Sequence, residues 1–407
     1  MFICDFHIHS KFSRATSKDM DIDNLSKWAK IKGVNLLGTG DFTHPLWFIE
    51  LKNKLKPCEY GIYSNDGIYY MLTAEVSNIY FKLDRTHKIH NILFAPSFEV
   101  ASEINKTLAE YGNLHVDGRP ILNLDCARMV KKLRSISEDI IIVPAHAWTP
   151  HFSIFGENSG FDSLEQCFED ETAYIYSIET GLSSDPAMNW RWSKLDKCCL
   201  ISNSDSHSPR KIAREANVFK EKVGYKELID IFKTKDNKKF LYTIEFFPEE
   251  GKYHWDGHRL CNKRVSPKEA RELNNICPVC GRKFTIGVMH RVEELSDREE
   301  GFIPQNYIPY KNFVPLCEII ASVFNVGPDT MTVENEYNKL IQIFGNEFKI
   351  LVEADEKELQ KNCNSLIANA ILNVRNAKVD VTPGYDGVYG KVNVAAENIG
   401  EKQLSFF

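Results

Sequence analysis

The sequence predicts an α/β barrel over residues 1–245, then a small module over 246–300, a mainly helical C-terminal domain over 301–395 and a tail over 396–407. Three observations predict this order. Short apolar runs alternate with helical ones through the first half, which over that length implies a parallel sheet closed into a barrel. The texture then turns polar, with Cys, Gly and Pro and little periodicity, and after about residue 301 apolar residues return at helical spacing.

The expected strands of the first block run from Phe2 to His9, Val34 to Gly40, Ile68 to Phe81, His90 to Phe94, Ile140 to His146, Ile175 to Thr180 and Cys199 to Ser204. Helices are expected between them at Met20 to Lys32, Phe98 to Tyr111, Leu124 to Ser135 and Tyr225 to Phe232. In the last block Phe313 to Phe324, Glu334 to Ile343 and the longer Glu356 to Arg375 read as helices. The Pro-Gly and Asp-Gly steps of Thr382 to Gly390 mark tight turns, consistent with a plain hairpin or with Tyr385 and Tyr389 offering rings for base stacking.

Composition bounds the function. A chain of 407 residues with 43% hydrophobic content can bury a large core. A formal net charge of −6 argues against nucleic-acid binding by bulk charge, so any such contact must be patchy. No signal-like start and no apolar run of the ~18 residues a membrane span needs is present, so a cytoplasmic protein without membrane contact is expected. Eleven cysteines in a reducing compartment favour metal where clustered and burial where scattered, as for Cys198-Cys199 in their apolar strand.

At the expected strand ends stand His7 and His9, Asp41 with His44, Glu75, His90, His146, and Asp205 with His207. Alternate residues of a strand point the same way, so His7 and His9 can grip one ion, as can Asp205 and His207. Barrels of this kind place their chemistry at the C-terminal strand ends. Two divalent ions ~3.5–4 Å apart can clamp the attacking and leaving oxygens of a phosphoester, given a bridging carboxylate and neutral imidazoles. Glu75 is the expected bridge. His7, His9 and Asp205 would share one ion with it, His90 and His146 would hold the second, and a third would need Asp41 or His44 together with His207. Arg14, and Arg210-Lys211 just past His207, are placed to hold flanking phosphates.

His258 and Cys261, with Cys277 and Cys280, form two pairs with two-residue gaps, a spacing typical of structural zinc. His254 and His290 compete with His258 for the fourth position. The terminal Gln403-Leu404-Ser405-Phe406-Phe407 resembles the pentapeptide by which bacterial replication proteins dock on the sliding clamp, the beta subunit of DNA polymerase III. Its anchors would be Gln403, Leu404, Phe406 and Phe407.

The order His-x-His, Asp with a nearby His, Glu, His, His and Asp-x-His resembles the polymerase and histidinol phosphatase (PHP) metallophosphoesterases. Gly40-Asp41-Phe42-Thr43-His44-Pro45, His146-Ala147-Trp148-Thr149-Pro150 and Ser202-Asn203-Ser204-Asp205-Ser206-His207-Ser208 are similar to the endonuclease Q branch of that family, as is the Tyr385-Asp386-Gly387-Val388-Tyr389-Gly390 segment after a zinc module. The resemblance implies a distorted seven-stranded barrel with two or three divalent metals (Zn, Mn or Mg). It further implies a nucleoid-associated DNA repair endonuclease that nicks 5′ of hypoxanthine, uracil, xanthine or an abasic site in double- or single-stranded DNA. Asp205, His207, Glu75 and Arg14 would carry the chemistry, and Arg14, Arg210, Lys211, Tyr385 and Tyr389 the DNA contact. Many PHP proteins place His directly after the second-motif Asp. Here Phe42 intervenes. A phosphatase acting on a small phosphomonoester such as histidinol phosphate is the alternative, but it has little use for residues 246–407. A clamp-bound scaffold with a dead site would not be expected to keep the full ligand set.

Overall fold

The computed structural model describes residues 1–394. Twelve strands build the first block: β1 (Phe2–Asp5), β2 (Leu36–Gly38), β3 (Lys56–Glu59), β4 (Ile62–Asn65), β5 (Ile68–Lys82), β6 (Arg85–Ala95), β7 (Ile121–Leu122), β8 (Ile141–Pro144), β9 (Ser177–Glu179), β10 (Cys199–Ile201), β11 (Ala216–Phe219) and β12 (Phe240–Glu245). The helices Ile22–Lys32, Phe98–Ala109, Cys126–Ile136 and Tyr225–Thr234 follow the expected periodicity. Local chemistry sets their ends. Asp21 accepts from the N–H groups of Asp23 and Asn24 to start the first, and Gly33 ends it in the left-handed region.

The sheet is mixed rather than wholly parallel. β1 runs parallel to β2 and β2 to β5, whereas β5–β6, β6–β8, β1–β11 and β11–β12 are antiparallel. One two-residue turn accounts for the largest departure: Leu83 and Asp84 both have positive φ, 48° and 59°, the twist that folds a hairpin back on itself. The β5–β6 hairpin places Ser77 opposite His90 and Glu75 opposite Ile92, so Glu75 and His90 lie on one face as diagonal neighbours. β9 and β10 form their own parallel ladder. Isolated contacts rather than a strand ladder tie it in, among them Ala147 N–H to the Glu179 carbonyl at 2.9 Å and the paired bonds between Ser202 and the Asn217 side chain at 2.7 and 3.1 Å. The ladder therefore does not run unbroken around seven strands.

Two elements of this block lack a strong sequence pattern. The helix Pro45–Lys54 buries only Trp47 and Leu51, and the β3–β4 hairpin extends the sheet edge with β3 fully exposed.

Beyond residue 245, β13 (Asp256–His258) and β14 (Lys263–Val265) pair around a separate core of Val265, Ala270, Cys277 and Phe284. β15 (Tyr310–Asn312) adds to β12 at the edge of the main sheet. The helices Leu316–Phe324, Met331–Phe344, Glu356–Asn362 and Ser365–Arg375 pack into the same apolar core as the first block. A buried ion pair, Lys32 Nζ to Glu347 Oε2 at 2.6 Å, joins the two. The expected long helix from Glu356 to Arg375 is broken at Cys363-Asn364, where the Asn364 side chain accepts from Leu366 N–H and starts a new helix.

Residues 380–393 do form a hairpin, β16 (Asp380–Thr382) with β17 (Lys391–Asn393), and its loop docks on the small module. Thr285 Oγ1 and Arg259 N–H both donate to the Asp386 carboxylate at 2.6 Å. Tyr385 is buried against Gly257, its hydroxyl donating to Asn262 Oδ1 at 2.9 Å, so its ring is part of that packing and not free to stack on a base. Tyr389 remains exposed.

Glu245 and Glu215 form a buried acidic pair behind the β9–β10 ladder. Thr180, Ser202 and Thr243 hydroxyls donate to Glu245, while Glu215 accepts from Phe246 N–H and leaves Oε2 without a partner. Burial pushes Glu245 up to about 8, and burial with Glu245 nearby raises Glu215 well above the carboxyl range. The folded state thus holds protons that the unfolded chain releases, so the stability this pair allows is complete below the ordinary carboxyl pKa and falls as pH rises toward 8. Glu245→Gln, which mimics the protonated group, is expected to flatten the decline of melting temperature between pH 5 and 8.5. An unchanged slope in that variant would refute the assignment.

Candidate metal centre

His7 and His9 leave the end of β1, and the chain there is gripped by the loop after β10, with His9 N–H donating to the Ser206 carbonyl at 2.9 Å. That bond brings Asp205 against His9. His9 Nε2 lies 3.0 Å from Asp205 Oδ1 and 3.2 Å from Glu75 Oε2, while His7 Nε2 lies 3.5 Å from Glu75 Oε2 and 3.7 Å from Asp205 Oδ1. The other carboxylate oxygen serves a second group. Glu75 Oε1 is 2.6 Å from His90 Nδ1 and 3.1 Å from His146 Nε2. In each group, His7, His9, Glu75 and Asp205 in one and Glu75, His90 and His146 in the other, the potential ligand atoms all lie within 4.8 Å of one another.

The donor set fits divalent ions. His7 Nε2 is buried without a hydrogen-bond partner, an arrangement that needs a reason in a packed interior. Three ring nitrogens on the far side are held from behind: His7 Nδ1 by Glu179 at 3.0 Å, His9 Nδ1 by Asp41 at 3.1 Å and His146 Nδ1 by Thr149 Oγ1 at 3.0 Å. A donor on Nδ1 leaves Nε2 as the lone-pair atom facing the centre, the usual second partner of a metal-bound imidazole. Burial alone would depress His7 and His9, yet the carboxylates around them hold both imidazoles well above their ordinary pKa. Despite burial, the imidazoles keep Asp205 well below the carboxyl range, and with Arg119 they do the same for Glu75. Burial pushes His90 down to about 4.

Backbone strain gathers here. Asp41, His146 and Asp205 have positive φ of 49°, 32° and 46°, conformations that cost about 1–3 kcal/mol each and persist where packing enforces them. Gly118 meets the same region from the strap before β7, where a Cβ would come within 2.3 Å of Asp41 Oδ2 and Ser13 Oγ. Only glycine admits that approach.

The expected third group does not assemble among the described residues. Asp41 is occupied on both oxygens, one facing His9 and the other accepting from Ser10 N–H, Ser10 Oγ and Ser13 Oγ. His44 stacks on Phe12 with ring centres 4.5 Å apart. His207 turns Nδ1 to the Asp205 carbonyl at 2.9 Å, its ring 4.5 Å from that of His9. Arg14 is 74% exposed and paired with Asp117, Arg210 faces Asp329 at 3.9 Å, and Lys211 is exposed.

Three contributors have no counterpart in the motif reading. Arg119 Nη1 reaches Glu75 Oε2 at 3.1 Å, so the arginine touching the centre is not Arg14. Glu179 binds His7 and accepts from His146 N–H at 2.7 Å and Asn203 Nδ2 at 2.9 Å. Thr149 orients His146. Glu179 is the last residue of β9, so an acid at a strand end was a signal that could have found it, whereas Glu75 lies inside the long β5 and not at its end. Glu179→Gln is expected to weaken metal binding by roughly 10–100-fold, measured by chelator competition. Unchanged affinity would assign Glu179 to packing alone.

In the small module, His258, Cys261, Cys277 and Cys280 converge within the same 4.8 Å limit, with Cys280 Sγ 3.5 Å from His258 Nδ1. His290 is held by Asp256 at 2.5 Å, and His254 is buried elsewhere, which leaves His258 as the fourth member.

A carboxylate shared by two imidazole-rich groups on an α/β scaffold fits a metal-dependent hydrolase. Comparison with known proteins narrows the class. The chain is similar to the lesion-specific endonuclease PfuEndoQ of Pyrococcus furiosus, with 31% identity and a TM-score of 0.87 over 98% of this chain and 97% of that one. It is equally similar, 31% identical with a TM-score of 0.85, to endonuclease Q solved with a 27-mer duplex carrying an abasic lesion at the active site, over 99% of this chain and all of that one. This chain belongs to the endonuclease Q family. It is also 29% identical to Bacillus subtilis YqxK over 98% of that protein, and 31% identical to MJ0043 of Methanocaldococcus jannaschii over 32% of that longer protein. Residues 315–378 match the MJ0043 C-terminal domain model.

Proposed function

We propose that this protein is a DNA repair endonuclease that hydrolyses the phosphodiester bond 5′ of a deaminated base (hypoxanthine, uracil or xanthine) or of an abasic site. The observation that carries the reading is the division of the two Glu75 oxygens between two ligand groups in a chain that matches endonuclease Q end to end. His7, His9, Glu75 and Asp205 would hold one divalent ion and Glu75, His90 and His146 another. Such ions, Zn, Mn or Mg, supply charge stabilisation at the phosphoryl oxygens and an activated water. The protein's own groups set the geometry: Glu179, Asp41 and Thr149 fix the ring orientations, and His207 stands at the exposed rim beside His9.

His258, Cys261, Cys277 and Cys280 would hold a structural zinc. Exposed Arg14, Lys211 and Tyr389 and half-buried Arg210 are the DNA-contacting candidates. The pentapeptide Gln403 to Phe407, a proposed ligand of the bacterial sliding clamp, lies outside the described residues. Among the described residues no helix is long and apolar enough to cross a membrane.

Purified protein supplied with Mn²⁺, Mg²⁺ or Zn²⁺ is expected to nick a duplex containing one deoxyinosine immediately 5′ of the lesion. Equal cleavage of an undamaged duplex would remove the lesion from the reading. Turnover of histidinol phosphate without nicking would replace it with a small-molecule phosphatase.

A further inference from the structure

We infer that Arg119 is a substrate-contacting residue: its guanidinium grips a non-bridging oxygen of the phosphate under attack. The inference rests on the phosphodiesterase reading above and names a group that carries part of it.

Arg119 is the only basic side chain among the described residues that pairs with a member of either barrel ligand group, and it does so with the carboxylate common to both. A fixed cation 3.1 Å from that carboxylate is a poor structural device. It repels the divalent ions that the same oxygens are built to attract, and a neutral donor would hold Glu75 without that penalty. The position becomes favourable once an anion arrives that meets the ions and the guanidinium together. The side chain is prepared for one. A guanidinium has five N–H donors in a fixed fork, and Glu75 takes only one here. Among the described residues no other group is within hydrogen-bond distance of the fork, and 29% of the side chain is exposed beside the ligand set.

The backbone that carries Arg119 is held independently of Glu75. Arg119 N–H donates to Asp117 Oδ1 at 3.2 Å, Gly118 N–H donates to the Phe12 carbonyl at 3.1 Å, and Thr43 Oγ1 donates to the Gly118 carbonyl at 3.2 Å. The strap therefore fixes where the guanidinium starts, while the donors not taken by Glu75 stay uncommitted among the described residues.

The test uses full-length, metal-loaded protein as wild type, Arg119→Gln and Arg119→Lys. Inorganic phosphate is titrated calorimetrically and metal content is measured in parallel. Arg119→Gln is expected to weaken phosphate binding at least about tenfold with metal content unchanged, and Arg119→Lys to fall between, since it keeps the charge and loses the fork. On a deoxyinosine duplex, nicking should drop roughly 100-fold in Arg119→Gln at saturating enzyme, the loss typical of one transition-state donor. With a single phosphorothioate at the scissile bond, the rate ratio of the two stereoisomers seen in wild type should collapse in that variant. Phosphate affinity equal to wild type in Arg119→Gln overturns the inference. So does loss of metal from both variants, because Arg119 would then act only on Glu75. If phosphate binding depends on Arg119 but wild type does not nick the duplex, the contact stands and the endonuclease reading falls.

Discussion

Glu75→Gln is expected to reduce nicking of the deoxyinosine duplex on the order of a thousandfold and to strip both ions from the barrel. The size follows from its place. Its two oxygens face different ligand groups, Oε2 toward His7 and His9 and Oε1 toward His90 and His146. Glutamine keeps the volume, so packing survives, but it removes the charge and puts an NH₂ donor where a cation should sit. Asp205→Asn makes the control. Asp205 touches only the first group, so this variant should lose one ion, keep the one at His90 and His146, and still be inactive. Metal analysis beside single-turnover nicking separates the cases. Near-normal nicking by Glu75→Gln would end the two-ion account.

Removing a proposed zinc ligand should affect a different part of the molecule. Cys277→Ser is expected to unfold the module spanning residues 256–285 while leaving the barrel ions in place. The module's own core consists of four buried residues, far too little apolar area to offset the conformational entropy of ordering that segment. Zinc binding in comparable peptides contributes apparent free energies of about 10–16 kcal/mol, so the metal and not the core would decide the fold. Because the tip of the Thr382 to Gly390 loop is anchored here through Asp386 and Tyr385, the tip should loosen as well, while backbone bonds to Glu249 and Glu250 keep the loop's base in place. Limited proteolysis would show new cuts in both segments, together with the loss of one zinc per chain. A protease-resistant module in the zinc-free variant would show that the four side chains converge for another reason.

The ligand pattern was readable because it is written in short-range spacing. His7-Ile8-His9 follows the two-residue period of extended chain and Glu75 stands where an apolar run would otherwise continue, whereas Asp205 sits in the left-handed region and joins the ligand group without His207. From that, the division of His7, His9 and Asp205 against His90 and His146 around Glu75 could be stated, and the structure gathers the same side chains. The Cys pairs were equally plain. Four helices of the first block followed from periodicity, and the structure shows Asp21 and Gly33 capping the first of them.

Other features depend on partners far away in the chain. The Leu83-Asp84 turn reversed an expected parallel neighbour because neither residue advertises positive φ as glycine does. Glu179 became a partner of His7, and Arg119 of Glu75, through contacts that span tens to hundreds of residues. Asp41 was drawn from the ligand list into support of His9 by the hydroxyls of Ser10 and Ser13. Tyr385 was withdrawn into the small module by Gly257 and Asn262. Residue type and spacing thus narrowed the candidates for metal binding. Only the closed fold decided which of them face one another and which are held from behind, because a carboxylate's role is set by the charges and donors packed within a few ångströms of it, and those come from strands that meet only when the chain is folded.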